Sequence, residues 1–305
     1  MDLVTKELAF SYGSKVALDG VSIEAQDGKI FGLVGPNAAG KTTTLRLLSG
    51  ISNPHKGTIM YDGHPFGNSS NSIKRRLGIV SQENNMEREL TLRKNLWFHG
   101  LLYDIPSDRL RRNIDYFLDW LQITRFADLM PLAASGGTQR RFIIARALIT
   151  EPDFLLMDEP TIELDPLSRR LVHEEIKSLN KEGKTVFITT NYVEEAERLC
   201  HNVAIIHNGK IVETGKTSDL IARHTEVVRV TASFTDSAPD FDQLSALGAK
   251  TLQYEEGEAI FLLPREETSD FLGRLLSIAG EKLTNLQVRP KTLEELVLEQ
   301  ADKRL

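Results

Sequence analysis

Cysteine is nearly absent from this sequence, which has only Cys200 among its 305 residues. A single thiol cannot form a disulfide within the chain, so we expect a protein of a reducing compartment such as the cytosol. Long apolar runs are missing as well. The longest, such as Phe142–Ala145 and Val203–Ile206, are far shorter than the roughly 18–20 residues that a membrane-spanning helix needs. Any role at a membrane is therefore expected to be peripheral.

The sequence also has no excess of basic residues. Lysine and arginine number 37 against 43 aspartates and glutamates, which gives a formal net charge of −6. This balance excludes a global attraction to nucleic acid or to an anionic membrane surface, and we expect no nucleic-acid partner. The hydrophobic share of 41% and the charged share of 26% are those of an ordinary globular protein with a proper core.

Short apolar runs alternate with helical patterns in the first two thirds of the chain. Lys29–Val34, Phe154–Met157 and Thr185–Thr189 are each too short for a helix and are typical of strands buried on both faces. Ser168–Leu179 has apolar residues at helical spacing. Strands that alternate with helices predict an α/β fold with a largely parallel sheet. We place this first domain at residues 1–224.

Two regions depart from this alternation. Residues from about 83 to 151 carry helical patterns almost throughout, which predicts a helical subdomain inserted into the α/β core. After residue 224, strand-like runs at Val227–Phe234 and Ala259–Leu263 precede helical patterns. We therefore predict a small α+β domain at residues 225–305. Its expected helices are Thr268–Ile278 and Leu293–Ala301.

A glycine-rich segment between a predicted strand and a predicted helix fits the pattern G-x-x-x-x-G-K-[ST]. Backbone N–H groups of such a loop wrap phosphate oxygens, and the helix N-terminus adds positive potential. Lys41 would reach the outer phosphates, and the Thr42 hydroxyl would ligate Mg²⁺. The alternative is a glycine-rich turn without a ligand, which the strand-to-helix context disfavours. The predicted phosphate-binding residues are Gly35, Pro36, Asn37, Ala38, Ala39, Gly40, Lys41, Thr42 and Thr43.

Two adjacent carboxylates end a later predicted strand, Leu155–Met157. Beside a phosphate loop, Asp158 would bind Mg²⁺ through water, and Glu159 could accept a proton from the water that attacks the γ-phosphate. Taken alone, two carboxylates at a strand end are more often simply solvated. Next to Lys41 and Thr42 that alternative is disfavoured, so we predict Asp158 as a metal ligand and Glu159 as a catalytic residue.

A third segment places Ser135, Gly136 and Gly137 before a predicted helix. Small residues, free N–H groups and a helix N-terminus suit an anion, whereas an N-cap alone would explain neither glycine. Together with the two motifs above, Ala134–Arg141 resembles the signature of ATP-binding-cassette (ABC) proteins, usually Leu-Ser-Gly-Gly-Gln followed by basic residues. The resemblance extends over most of residues 1–224.

This resemblance implies roles for four further residues. Tyr12 stands where an aromatic residue stacks on adenine. Gln82 stands where a glutamine ligates Mg²⁺, takes part in catalysis and links the metal to the permease-facing surface. Asp165 belongs to the loop through which two cassettes touch and is expected at the nucleotide. Asn191 opens the segment that senses the γ-phosphate in the catalytic site.

The function that the resemblance implies is that of a transport ATPase. A P-loop NTPase cassette would bind ATP with Mg²⁺ between two subunits, because the signature of one subunit closes over the nucleotide of the other. The pair, a homodimer or a heterodimer, would be attached to a polytopic permease at the cytoplasmic face of the cell membrane. The single cassette, the small C-terminal domain and Arg289–Leu296 most resemble the ATPases of ABC-2 type exporters of drugs, polysaccharides or nodulation factors.

Three residues differ from the family pattern. Ala38 and Glu163 stand where glycine is common, and Asn191 stands where a histidine is expected. Asparagine can donate a hydrogen bond but never carries charge, so hydrolysis is expected to be slowed. Two alternatives stay open: a nucleotide-binding regulatory subunit with little turnover, and a soluble ABC protein of the ribosome-associated or DNA-repair type. The single cassette and the lack of sustained heptads disfavour the last.

Overall fold

The computed structural model describes residues 1–67, 70–83, 85–225, 227–235, 244–245, 247–248, 251–255 and 257–290. The chain divides into two compact units, Met1–Thr217 and Ser218–Leu305, which we describe separately. The predicted domain boundary after residue 224 and the predicted helical subdomain stay predictions.

The first unit contains strands that form two sheets and helices that cover them. Its strands are β1 (Leu3–Tyr12), β2 (Lys15–Ala25), β3 (Ile30–Val34), β4 (Lys56–Tyr61), β5 (His64–Pro65), β6 (Leu77–Val80), β7 (Phe154–Asp158), β8 (Thr185–Thr190), β9 (Asn202–His207) and β10 (Lys210–Lys216). Its helices are α1 (Lys41–Leu48), α2 (Asn71–Lys74), α3 (Leu92–Leu102), α4 (Ser107–Trp120), α5 (Gly136–Leu148), α6 (Pro166–Lys181) and α7 (Val193–Leu199). Helix α8 (Thr217–Thr225) begins at the boundary.

The larger sheet has the strand order β10-β9-β3-β8-β7-β6. All neighbouring pairs from β9 to β6 are parallel, and only β10 pairs antiparallel with β9. Every residue of β3, β7 and β8 is buried, as expected of parallel strands that helices cover on both faces. The predicted α/β class with a largely parallel sheet is confirmed.

The smaller sheet, β2-β1-β4-β5, is antiparallel and was not predicted from the sequence. Its inner face packs with α1 and one face of the larger sheet around a shared core. Each fully buried aliphatic or aromatic side chain of this kind contributes roughly 1.5–3 kcal/mol of transfer free energy. Core residues include Leu8, Leu18, Phe31, Leu33, Leu45, Leu48, Phe154 and Phe187.

Between strands β6 and β7, the chain is mostly helical. Helices α3, α4 and α5 are joined by short loops and by two 3-10 turns, Thr124–Phe126 and Pro131–Ala133. Helix α4 buries Leu110, Ile114 and Leu118 at helical spacing, which explains why one amphipathic face is enough to hold it in place.

The second unit contains β11 (Val227–Phe234), β12 (Thr251–Glu255), β13 (Glu258–Pro264), α9 (Thr268–Ala279) and β14 (Leu283–Pro290). The strands form an antiparallel sheet in the order β12-β13-β11-β14, and the core residues include Phe261, Phe271 and Leu275. The predicted helix Leu293–Ala301 lies outside the described residues. No helix in the described part of the chain is long and apolar enough to cross a lipid bilayer.

Candidate functional site

The carboxyl ends of four neighbouring parallel strands meet at one edge of the larger sheet. In the register of these strands Val34 pairs with Thr190, Asp158 with Thr189, and Val80 with Met157. The residues that follow the strands, namely Gly35, Asn191, Glu159 and Ser81, therefore leave the sheet at the same edge. In open α/β sheets this is the edge at which ligands bind.

The phosphate loop runs from the end of β3 to the start of α1. Gly35 cannot be replaced without displacing β9, because a Cβ there would lie 2.2 Å from the carbonyl oxygen of Ile206. Gly40, at φ +113°, lies against Ala17 and Leu18 in the same manner. Ala38 has φ +62°, which lies in the left-handed region that glycine adopts at least cost.

Lys41 is the first residue of α1, and its almost fully buried side chain reaches back to the start of the loop. Its ammonium donates hydrogen bonds to the carbonyl oxygens of Gly35 and Pro36 at 2.9 and 3.0 Å, and lies 3.3 Å from Glu159 Oε1. A buried ammonium is costly unless it is paired, and these three oxygens pair it. The structure thus brings together the predicted phosphate-binding cation and the predicted catalytic carboxylate.

The side chain of Asp158 and the backbone of Glu159, at the end of β7, are both held by Thr189 of the neighbouring strand. Thr189 donates its hydroxyl proton to Asp158 Oδ1 at 2.5 Å. The N–H of Glu159 donates to the carbonyl oxygen and the hydroxyl of the same threonine, at 3.0 and 3.1 Å. Glu159 has φ +44°, a conformation that non-glycine residues adopt only where surrounding contacts enforce it.

A cleft of about 440 Å³ opens above the loop. It brings together half of the predicted site residues, including the half-exposed ring of Tyr12. Predicted residues that line it are Tyr12, Asn37, Ala38, Gly40, Lys41, Thr42, Thr43, Gln82 and Glu159. The cleft is also lined by four residues that the sequence analysis missed, namely Lys15, Val16, Ala17 and Ile162. The first three begin β2, where Lys15 pairs with Tyr12 across the turn, so their closeness to Tyr12 in the sequence was a usable signal.

The oxygen groups of Thr42, Gln82 and Asp158 suit magnesium better than any softer metal. Mg²⁺ prefers hard oxygen ligands, keeps several waters and is commonly held by one or two protein groups together with substrate phosphates. Among the described residues, no cluster of three or more His, Cys, Asp or Glu side chains is placed to hold a metal. Two of the predicted ligands, Thr42 and Gln82, line the cleft with Lys41, so the donor set fits a metal that arrives with a nucleotide.

The signature residues lie outside this cleft, at the start of α5. Ser135 caps the helix by accepting the N–H of Thr138 at 3.3 Å. A Cβ on Gly137 would lie 2.6 Å from Ser168 Oγ, whereas a Cβ on Gly136 would contact nothing within 4 Å. The fold of the chain therefore accounts for the glycine at 137 and leaves the one at 136 unexplained.

Asp165 caps the neighbouring helix α6 and does not line the cleft either. Its carboxylate accepts the N–H groups of Leu167 and Ser168, both at 3.0 Å. The pKa of Asp165 is lowered, chiefly by a hydrogen bond from the Ser168 side chain and then by these backbone hydrogen bonds. Glu163, just before it, has φ +59°, the conformation that glycine adopts at least cost.

Asn191 extends from the end of β8 towards the phosphate loop. Its amide nitrogen lies 3.5 Å from Asn37 Oδ1, at the limit of a hydrogen bond. Its Oδ1 is buried, and no hydrogen-bond partner for it is found among the residues that the structure describes. The side chain therefore touches the loop without lining the cleft.

Comparison with known sequences identifies a family and close relatives. The sequence profile of the ABC transporter family matches residues 18–162. Nod factor export ATP-binding protein I of Cupriavidus metallidurans is 36% identical over 287 residues, which cover 94% of this chain and 93% of that protein. The protein of the same name from Paraburkholderia xenovorans is 42% identical over 212 residues, which cover 70% of each chain.

Solved structures give the same result for the fold. A cbiO1 protein from Clostridium perfringens, part of the ABC transporter complex cbiONQ, aligns with a TM-score of 0.65 at 27% identity, covering 72% of this chain and 90% of that one. A dimeric ATP-binding cassette in a post-hydrolysis state with ADP and phosphate bound aligns with a TM-score of 0.64 at 26% identity. That alignment covers 70% of this chain and 98% of the other.

Proposed function

The chain belongs to the ABC transporter family of ATP-binding proteins, and we propose that it binds and hydrolyses ATP to drive export through a separate membrane permease. The observation that carries the proposal is the convergence of Tyr12, Lys41, Gln82 and Glu159 on one cleft at the carboxyl edge of the parallel sheet. An aromatic face, a loop of N–H groups with a lysine, and a carboxylate are together the groups that bind a nucleoside triphosphate and split it.

The proposed reaction is in-line attack of water on the γ-phosphate. The bond from water oxygen to phosphorus forms as the bond to the β,γ-bridging oxygen breaks, and ADP and phosphate leave. Glu159 accepts the proton of the attacking water. The loop N–H groups and Lys41 stabilise the charge that develops on the phosphate oxygens, which is the main catalytic term in phosphoryl transfer.

Glu159 and Lys41 exchange partners in this scheme. The ammonium is now 3.3 Å from Glu159 Oε1, and phosphate oxygens would compete with that carboxylate for it. Release from Lys41 would leave Glu159 Oε1 free to accept a hydrogen bond from the attacking water. Binding of the triphosphate therefore prepares the carboxylate for catalysis.

Magnesium is the second ligand that we propose. Thr42, Asp158 and Gln82 would hold it, with Asp158 acting through water as the sequence suggests. Its positive charge would offset that of the β- and γ-phosphate oxygens.

We propose that two chains act as a pair. Ser135, Gly136 and Asp165 lie outside the cleft of their own subunit, and no atom of that subunit lies within 4 Å of a Cβ placed on Gly136. Both observations support a contact with the nucleotide of a second subunit. The simplest assembly is a homodimer, since each chain carries both the cleft and the signature.

The export role comes from the relatives, whose names describe export ATP-binding proteins. We propose a peripheral position at the cytoplasmic face of the membrane, held by the permease. The cargo would be selected in that permease rather than in this chain. The amide of Asn191 lies beside the loop, 3.5 Å from Asn37 Oδ1, and can donate a hydrogen bond to a phosphate there, so we favour slowed hydrolysis over a purely regulatory role.

The test of this proposal is the binding of MgATP measured by calorimetry in a Glu159→Gln background, so that the ligand is not consumed. Lys41→Ala should weaken binding by about 2–5 kcal/mol, the cost of truncating one partner of a desolvated charge pair. Lys177→Ala, which removes an exposed lysine of α6, should not alter it. Equal affinity of the Lys41→Ala and Lys177→Ala proteins would refute the site.

A further inference from the structure

Arg140 lies on α5, one turn after the signature residues, and its side chain is buried with 4% of its surface exposed. The guanidinium donates hydrogen bonds to four backbone carbonyl oxygens that come from two other segments. Nε donates to Pro160 at 2.8 Å and Nη1 to Ser81 at 2.5 Å. Nη2 donates to Asp158 at 2.8 Å and to Glu159 at 3.1 Å.

Only arginine can make this set of contacts. Its planar group presents five N–H donors in a fixed arrangement, whereas lysine presents three donors on one atom. Burial lowers the pKa of Arg140 to about 10, and the charges of Asp158, Glu195 and Glu159 oppose that change. Arg140 therefore stays protonated at neutral pH.

The contacts of Arg140 join three functional segments of one subunit. Helix α5 begins at the signature, and an α-helix is stiff over a single turn of 3.6 residues. Ser81 immediately precedes the predicted metal ligand Gln82. Residues 158–160 contain both carboxylates of the nucleotide site. A displacement of the signature would consequently move the guanidinium and the carbonyl groups that it holds.

We propose that Arg140 is a positioning residue that couples the signature segment to Glu159 and Gln82 of the same subunit. The inference rests on the proposed function, in which the signature contacts the nucleotide of a second subunit. Closure on one nucleotide would then set the catalytic carboxylate at the other. Arg140 touches neither nucleotide itself.

The backbone conformation of Glu159 shows why these hydrogen bonds from Arg140, which we call the Arg140 clamp, matter. Glu159 has φ +44°, which is strained for a residue with a side chain. Thr189 holds its N–H group and Arg140 holds its carbonyl group. With the Arg140 contact weakened, the carboxylate would lose its fixed position relative to Lys41, and small misplacements of catalytic groups cost large factors in rate.

The test compares Arg140→Lys with the parent chain in steady-state ATP hydrolysis. The lysine keeps the charge but cannot span the four carbonyl groups. We expect kcat to fall by about tenfold to a hundredfold, while KM stays close to that of the parent and the melting temperature falls because buried carbonyl groups lose their donors. Arg146→Lys is the control, because Arg146 is a second arginine of α5, partly buried, that donates to the carbonyl group of Asn85, outside the cleft. That control should keep the parental kcat.

A second measurement separates coupling from folding. In a Glu159→Gln background, Arg140→Lys should still bind MgATP and still dimerise in light scattering, because the cleft and the signature remain intact. Loss of kcat with dimerisation retained would support the coupling role.

Other outcomes overturn the inference. An unchanged kcat would show that the clamp is dispensable, and a joint loss of kcat, ATP affinity and dimerisation would show that Arg140 only supports the fold. If Arg140→Lys does not fold, Arg140→Gln replaces it, and failure of both would assign Arg140 to the core alone. A parent chain without ATP hydrolysis would instead refute the proposed function.

Discussion

At the scale of single residues, two of the three positions that differ from the family pattern have a backbone conformation that suits glycine better than the residue present. Ala38 at φ +62° and Glu163 at φ +59° each carry a Cβ in the left-handed region. Ala38→Gly should raise the free energy of unfolding by about 0.5–1 kcal/mol, because relief of the left-handed strain exceeds the added entropy of the unfolded chain. Ala39→Gly, at a buried neighbour without positive φ, should lower it. Urea denaturation of the three proteins tests this, and a destabilised Ala38→Gly protein would contradict it.

Asn191 stands where the resemblance to ABC proteins implies a histidine. Its amide nitrogen lies 3.5 Å from Asn37 and its oxygen is buried. We expect Asn191→His to raise kcat by about tenfold, equivalent to about 1.4 kcal/mol, with KM nearly unchanged, because a contact made mainly in the transition state acts on turnover.

Steady-state kinetics at saturating Mg²⁺ decides the matter, with Asn191→Gln as a control that lengthens the amide without adding a ring. A flat or reduced kcat in the histidine variant would mean that the site is adjusted to asparagine. The contact between Asn191 and Asn37 would then be part of that adjustment.

At the scale of elements, the two signature glycines of α5 differ in how much room they leave for a side chain. A Cβ on Gly137 would lie 3.1 Å from Ser168 Cβ and 2.6 Å from its Oγ, so Gly137→Ala should cost about 1–3 kcal/mol of stability through overpacking. Gly136→Ala meets no atom within 4 Å and should raise stability by about 0.4–1 kcal/mol, because alanine loses less conformational entropy on folding. It should nevertheless weaken the ATP-dependent dimer.

Thermal unfolding and light scattering in a Glu159→Gln background provide the two measurements for these variants. If Gly136→Ala dimerises like its background, the signature does not contact a second subunit at this residue. The comparison with Gly137→Ala keeps an effect on the dimer distinct from an effect on the fold.

The strands that the sequence predicted are rich in apolar residues, whether they are buried on both faces, as β3, β7 and β8 are, or on one face, as β11 and β13 are. Strands β3, β7 and β8 are continuous apolar runs and were found from the sequence. Strands β1, β2 and β4 face solvent on one side, β12 and β14 carry many polar residues, and none of them was predicted. Half-exposed strands give a weak pattern because their polar and apolar residues also occur in loops.

The predictability of the site follows a similar division. Loop residues such as Lys41 were found because their chemistry depends on a fixed local spacing. Arg140 was not found, because its role depends on carbonyl groups 18 to 59 residues away, which only the folded chain brings together. Backbone acceptors carry no residue type, so no sequence pattern marks them.

At the scale of the whole molecule, the cleft and the signature of one chain serve different nucleotides in the proposed pair. ATP would stabilise the pair because it contacts both subunits, and ADP would not because it lacks the bridging γ-phosphate. Glu159→Gln should therefore dimerise with MgATP and remain monomeric with MgADP. Light scattering after size exclusion measures this, and an ATP-independent mass would contradict the proposed closure.

The most direct test of the central claim is the rate of phosphate release from MgATP by the purified chain and by Glu159→Gln. The parent should hydrolyse ATP, and the variant should lose about a hundredfold or more of that rate, the usual contribution of a general base. ATP binding by the variant should persist, since Lys41 and the loop N–H groups are retained. Equal rates for the two proteins would remove Glu159 from catalysis and contradict the assignment of this cleft as the site of ATP hydrolysis.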